Sequence, residues 1–148
     1  MRWRSPCRLL ALGLVPGLAL ATACARSAPV QPERLAEAIG RAQAVAEGTG
    51  GPLVYAFVDP LCAACLNLRV RLRPLIEAGR LKVRWIPVQT WANSGPASQA
   101  VRANTALLAL LLSGAVATPT LAYRAAQAGL RVQVGTPEDP IGLLREAR

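Results

Sequence analysis

Cys62 and Cys65, with Ala63-Ala64 between them, form the constellation in this chain best suited to chemistry at neutral pH. A dithiol at this spacing can cycle with its disulfide. The apolar run Leu53 to Val58 precedes it and reads as a buried strand, and Leu66 to Ala78 follows it and reads as a helix. A helix start offers unpaired N–H groups and the positive end of the macrodipole. Both favour a thiolate at Cys62, and the thiolate is the nucleophile. Cys65 lies one helical turn on, about 5–6 Å away, within disulfide-forming distance. Cys62 therefore reads as the attacking thiol and Cys65 as the resolving one, with a Cys62–Cys65 disulfide as the oxidised state. Two plainer readings stand beside this. A purely structural disulfide would close a very short loop and stabilise the fold little. A metal half-site would lack ligands, because two thiolates alone do not close a zinc site, although Cu(I) remains conceivable. The chain has no histidine, which excludes histidine acid–base catalysis and histidine metal ligands.

The redox compartment follows from the first residues. Arg2, Arg4 and Arg8 form a basic stretch ahead of Leu9 to Ala23, which is apolar and uncharged. Fifteen apolar residues fall short of the ~20 that span a bilayer, and Pro16-Gly17 interrupts them. Residues 1–23 are read as a secretory signal peptide, with a transmembrane anchor as the alternative. Leu20-Ala21-Thr22-Ala23-Cys24 is similar to a bacterial lipobox, which makes Cys24 the lipidated first residue of the mature chain. Ordinary cleavage after Ala23 or Ala25 is the competing reading. Cys7 falls in the discarded segment, so Cys62 and Cys65 are the remaining thiols after Cys24. The expected location is the bacterial periplasm, an oxidising compartment where disulfides persist.

The formal charge of +9 drops to +6 once residues 1–23 and their three arginines are removed. Nucleic acid is not expected as a partner of an exported domain. Sixteen of the 17 basic residues are arginine, which with abundant Ala, Gly and Pro reads as coding bias rather than a binding patch.

The remaining chain is long enough for one domain, with residues 25–32 as a linker and 33–148 as the folded part. Glu33 to Glu47 reads as a helix with Leu35, Ile39, Ala42 and Ala46 on one face, ended by Gly48 to Pro52. Leu53 to Val58 does not alternate, as expected of a central parallel strand covered on both faces. The helix after the cysteines carries Leu68, Leu72, Leu75 and Ile76 on one stripe, with a kink or break expected at Pro74 and a cap at Gly79. Leu81 to Val88 reads as the next strand and Gln89 to Gly95 as a loop. Pro96 to about Leu112 reads as a helix stopped by Gly114. Thr118 to Tyr123 and Leu130 to Val134 read as an antiparallel hairpin, and Glu138 to Ala147 as a last short helix capped by Thr136 with Pro137 at its start.

This order, a helix and then β-α-β-α-β-β-α, is that of the minimal thioredoxin fold, an α/β architecture with a four-stranded mixed sheet flanked by helices. Three stretches resemble thiol:disulfide interchange proteins of the DsbC/DsbG type. Phe57-Val58-Asp59-Pro60-Leu61-Cys62-Ala63-Ala64-Cys65 is similar to that family's Phe-x-Asp-x-x-Cys-x-x-Cys. Val83 to Val88 resembles the strand after its active-site helix, and Thr118-Pro119-Thr120 resembles its Thr–cis-Pro loop. The resemblance covers about Pro52 to Arg148. Ala63-Ala64 departs from the family's usual Gly-Tyr or Pro-Tyr. With only Glu33 to Glu47 read ahead of the first strand, the family's dimerisation domain is not expected, and a monomer is.

The resemblance implies a protein-disulfide oxidoreductase with no bound cofactor, acting on protein thiols and disulfides and served by a membrane redox partner. It implies that Pro119 is cis and that the backbone of Thr118 meets an extended substrate, with an ordinary trans proline at a strand start as the plainer reading. The Thr118 hydroxyl reads either as a donor to the Cys62 sulfur or as a solvated loop hydroxyl. Asp59 either caps the active-site helix or helps move a proton to Cys65. Thr118 before Pro119 resembles the reducing and isomerising members. Trp85 and Trp91 read as core and loop packing, with Trp91 at a substrate rim as the second option. The rival readings are a non-catalytic lipoprotein module that uses the same groove to hold a partner, and a Cu(I) chaperone, which the lack of His and of any Met beyond Met1 disfavours.

Overall fold

The structure is a computed structural model that describes residues 31–91 and 95–148. The signal segment, Cys24, most of the linker and residues 92–94 of the Gln89–Gly95 loop lie outside the described residues. The element order is α1 (Pro32–Arg41), β1 (Val45–Glu47), β2 (Leu53–Val58), α2 (Ala63–Glu77), β3 (Lys82–Pro87), α3 (Gln99–Leu111), β4 (Thr120–Ala125), β5 (Gly129–Val134) and α4 (Pro140–Glu146). The strands form one sheet in the order β1-β3-β2-β4-β5. β2 and β3 are parallel, and the other neighbours are antiparallel. This is a thioredoxin-like α/β fold with one more edge strand than the sequence suggests.

That extra strand is the main correction. The helix read over Glu33 to Glu47 stops at Arg41, and Val45-Ala46-Glu47 pairs with Trp85-Arg84-Val83. Tertiary contacts override the local pattern here. The Arg84 guanidinium, reaching back from β3, donates to the Gly40 carbonyl at 2.7 Å and the Ala42 carbonyl at 3.1 Å. Those are carbonyls at the helix end, and the cation complements the negative end of the helix dipole. Gly40 also lowers helix propensity at the point of arrest. A strand of three residues is too short to display a period of two.

β2 lies at the centre of the sheet and is covered on both faces. Val54, Ala56 and Val58 face α2 and α4 and pack with Leu68, Leu72, Leu75, Trp85, Leu121 and Leu143. Phe57 faces α1 and α3 and packs with Ile39, Ile86, Val88 and Leu108. Two buried faces explain the unalternating apolar run. Gly51 lets the β1–β2 connection cross the α2–β3 turn, because its φ is +75° and a Cβ there would collide with the Arg80 carbonyl.

Smaller differences concern helix ends. α2 starts at Ala63, not Leu66, and runs through Pro74 to Glu77. The left-handed Gly79 (φ +65°) stands just past the cap residue Ala78. α3 starts at Gln99 rather than Pro96, because the Ser98 hydroxyl accepts from the Val101 N–H and makes Ser98 the N-cap. The last helix offers two cap–proline pairs, Thr136-Pro137 and Asp139-Pro140. The second wins, with the Ile141 N–H donating to Asp139 Oδ1 at 2.9 Å. Thr136 instead donates its hydroxyl to the Ala64 carbonyl at 3.3 Å, in the first turn of α2.

Replacing Arg84 with Met tests the anchor that ends α1. Hydrogen bonds to a charged group contribute about 1.5–3 kcal/mol, and the expected loss of unfolding free energy in urea is of that size. Amide exchange should speed up over residues 40–47 ahead of β2. Uniform acceleration through the sheet would show that Arg84 supports the whole core instead.

Candidate redox site

β2 delivers the chain to the site and a tight turn hands it to α2. The Cys62 N–H donates to the Asp59 carbonyl at 3.1 Å, and the Leu61 N–H donates to Asp59 Oδ1 at 2.9 Å. Asp59 thus closes an Asx turn around Pro60 and, contrary to the expected helix cap, does not cap α2. Cys62 is the N-cap of α2, with extended backbone and no side-chain cap of its own. The Cys65 and Leu66 N–H groups donate to the Cys62 carbonyl. The sulfur of Cys62 therefore occupies the place where a cap side chain would meet the orphan N–H groups of the helix.

The two thiols are free and unequal. Cys62 is half-buried, and its Sγ donates to the Thr118 carbonyl at 3.4 Å. Burial opposes a thiolate there. Hydrogen bonds from the Cys65 thiol, the Thr118 hydroxyl and the N–H groups of Cys65 and Ala64 outweigh that cost and hold the Cys62 thiol below its ordinary pKa. Cys65 is only 3% exposed. Burial, then the hydrogen bond with Cys62, push its pKa up to about 11, against opposing hydrogen bonds from the Asp59 N–H and the Thr118 hydroxyl. The site thus pairs a primed outer thiol with a suppressed inner one.

The Thr118–Pro119 peptide is cis. The loop around it is held at both ends. The Thr120 hydroxyl donates to the Ala117 carbonyl at 2.8 Å, and the Gly135 N–H donates to the Pro119 carbonyl at 2.8 Å. Cys62, Cys65 and Thr118 thus come together at one end of the sheet, with Pro119 beside them.

Asp59 is placed differently from a residue whose carboxylate faces Cys65. Only its backbone N–H serves the Cys65 sulfur. Its carboxylate, on a residue 2% exposed, turns to the segment after β3. Oδ2 accepts from the Thr90 N–H at 2.6 Å and the Thr90 hydroxyl at 2.8 Å. Burial alone would raise this carboxyl. The N–H groups of Thr90 and Leu61, the Thr90 hydroxyl and the Trp91 N–H more than offset it and hold it below its ordinary value. A group so placed is a poor proton acceptor. Thr90 was not legible as a site residue, since one threonine after a strand carries no motif.

Several large apolar side chains are exposed on the segments that carry the site: Leu61 and Leu66 on either side of the pair in sequence, Trp91 after β3, and Val116 ahead of the cis peptide. Trp85 instead lies in the core, at 1% exposure, with the Arg69 guanidinium 4.7 Å from its ring centroid. Among the described residues, no group of three His, Cys, Asp or Glu side chains gathers in a way that could hold a metal ion. No helix of the described residues is long and apolar enough to cross a membrane.

The unequal thiols give a direct expectation. Iodoacetamide below pH 7 should alkylate Cys62 alone, and Cys65 should stay silent until strongly alkaline pH, as peptide mass mapping would show. Thr118→Val removes a donor that stabilises the thiolate, so the alkylation profile of Cys62 should move to higher pH. An unmoved profile would leave the Cys65 thiol and the helix N–H groups as the cause of the shift.

No family model matches this chain, and no curated protein does. Among solved structures it is similar to the disulfide interchange protein of Neisseria gonorrhoeae, with a TM-score of 0.49 and 18% identity over 70% of this chain and 96% of that one. At that distance the chemistry is carried by the site alone.

Proposed function

We propose that this chain is an exported thiol:disulfide oxidoreductase that exchanges disulfides with protein thiols through Cys62 and Cys65. One observation supports this above the rest. A thiol of lowered pKa sits at a helix N-cap against the Thr118 carbonyl, with a second, suppressed thiol one turn behind it. That asymmetry suits sequential attack and resolution.

In the reducing direction, the Cys62 thiolate attacks one sulfur of a substrate disulfide. A Cys62–substrate disulfide forms, and the other substrate sulfur leaves as a thiolate. Cys65 then loses its proton to solvent and attacks the Cys62 sulfur. The intramolecular disulfide closes, and the second substrate thiolate departs. Two electrons have passed from the dithiol to the substrate. Thr118 has two tasks here: its hydroxyl stabilises the thiolates, and its carbonyl is released by Cys62 to pair with an extended polypeptide. The reading leans toward reduction or isomerisation. Lipidation at Cys24 would tether the domain to a membrane, near the donor that must re-reduce it.

Mixed-disulfide trapping tests the reading. Cys65→Ala should accumulate a reducible covalent adduct with reduced-and-scrambled ribonuclease on a non-reducing gel, and Cys62→Ala should accumulate none. Equal behaviour of the two variants would overturn the assignment of roles, and a scaffold would function without either thiol. A reduction potential of about −270 mV would mark a reductase, and one of about −120 to −180 mV an oxidant or isomerase.

A further inference from the structure

The bonds of Asp59 reach beyond the cysteine turn. Its Oδ1 holds the Leu61 N–H, next to the nucleophile, and its Oδ2 holds both the N–H and the hydroxyl of Thr90. The Trp91 N–H reaches the same carboxylate. One buried anion therefore binds two segments that are 31 residues apart in sequence. Those segments carry the apolar rim, with Leu61 at 63% and Trp91 at 59% exposure. Two adjoining grooves share Gln89 and Ala97. One runs beside Leu61 and the other between Trp91 and Val116, ahead of the Thr118–Pro119 peptide.

We propose that Thr90 and Asp59 form a clasp that positions the Leu61–Trp91 rim for a polypeptide substrate, so that Thr90 governs recognition of protein disulfides and not the thiol chemistry. The occupant of the rim is the chain flanking the substrate's reacting cysteine, because one groove is walled by Asp59, Pro60 and Leu61, the turn that leads directly into Cys62. The inference rests on the disulfide-exchange reading. Asp59 acts through the segments it holds. Its carboxylate has its donors on Leu61, Thr90 and Trp91, and its charge is what makes those bonds strong. A small disulfide needs only the Cys62 sulfur. A protein disulfide must also lay its backbone across the rim, and it alone should sense a loosened clasp.

The test compares two substrates on the intact chain. Reduction of insulin, with dithiothreitol supplying electrons, gives KM and kcat for a polypeptide. Reaction of the pre-reduced dithiol with dithiobis(nitrobenzoate), which yields two nitrothiobenzoate anions as the Cys62–Cys65 disulfide forms, gives the rate for a small disulfide. Thr90→Val keeps the carboxylate and the Thr90 N–H and deletes one bond to a charged acceptor. Its KM for insulin should rise roughly 10-fold, the size of one such bond, with kcat and the small-disulfide rate holding. Asp59→Asn places an amide N–H₂ against the Thr90 donors and should raise KM further. Adding Thr90→Val to it should then change little, because the bond is already broken. Equal losses on both substrates in Thr90→Val, or full additivity of the pair, would overturn the clasp. If Asp59→Asn fails to fold, Thr90→Val decides alone. A wild-type chain inert toward both substrates would refute disulfide exchange itself, separately from the clasp.

Discussion

The first turn of an α-helix leaves N–H groups without intrahelical partners, and in this protein the sulfur of Cys62 sits at the mouth of that turn. The rest of the molecule holds this geometry in place. α2 is fixed along its length by Leu68, Leu72 and Leu75, which are buried against Val54, Ala56, Val83 and Leu121 of the sheet. Its start is fixed by the Asx turn at Asp59 and by Thr136, whose hydroxyl bonds the Ala64 carbonyl. A helix free to slide or fray at this end would not keep its N–H groups aimed at a sulfur. Core packing therefore bears on the surroundings of the Cys62 sulfur as well as on stability.

The opposite shifts of the two thiols have a common origin. Burial disfavours the thiolate at both positions. At Cys62 it is offset because the sulfur lies outside the helix and collects donors from Cys65, Thr118 and Ala64. At Cys65 the sulfur is buried in the core cluster beside α2, and the hydrogen bond with Cys62 adds to the cost of its thiolate. A hydrogen bond from the Cys65 thiol to the Cys62 thiolate stabilises one charge and keeps the other proton in place. The pair thus holds one proton more firmly and releases the other more easily than two isolated thiols would. On the proposed disulfide-exchange reading, this asymmetry would order attack by Cys62 ahead of resolution by Cys65.

Much of this was legible in the chain. The central strand announced itself by six apolar residues without alternation and the thiol pair by its spacing at a strand-to-helix junction, while the cis peptide was expected only through the resemblance of Thr118-Pro119-Thr120 to a family loop. What was hidden depended on distant partners. β1 exists because Arg84, far along the chain, takes over the carbonyls at the end of α1, and no local pattern in Val45-Ala46-Glu47 signals that. Asp139 capped α4 in place of Thr136 because Thr136 was committed to α2. Asp59 was visible as a residue but its direction was not. A carboxylate beside a cysteine turn can face the sulfur or the neighbouring segment, and Thr90 decided it.

Ala63 and Ala64 sharpen that point. Their side chains carry no charge and no hydrogen-bonding group, so they cannot tune the Cys62 thiolate as a polar or aromatic pair would. The backbone N–H of Ala64 still contributes. Tuning passes to groups whose identity is independent of the dipeptide: the backbone of α2, the Thr118 hydroxyl and the Cys65 thiol. They sit on two separately anchored elements, α2 and the cis-peptide loop. The Thr118 loop is held by Thr120 and Gly135, and the Cys65 sulfur by the core and the Asp59 N–H. The balance between thiolate and disulfide in this chain is therefore a property of how α2 and the cis-peptide loop are docked onto the sheet. Two alanines in the motif leave the neighbouring loops, not the intervening side chains, to set it.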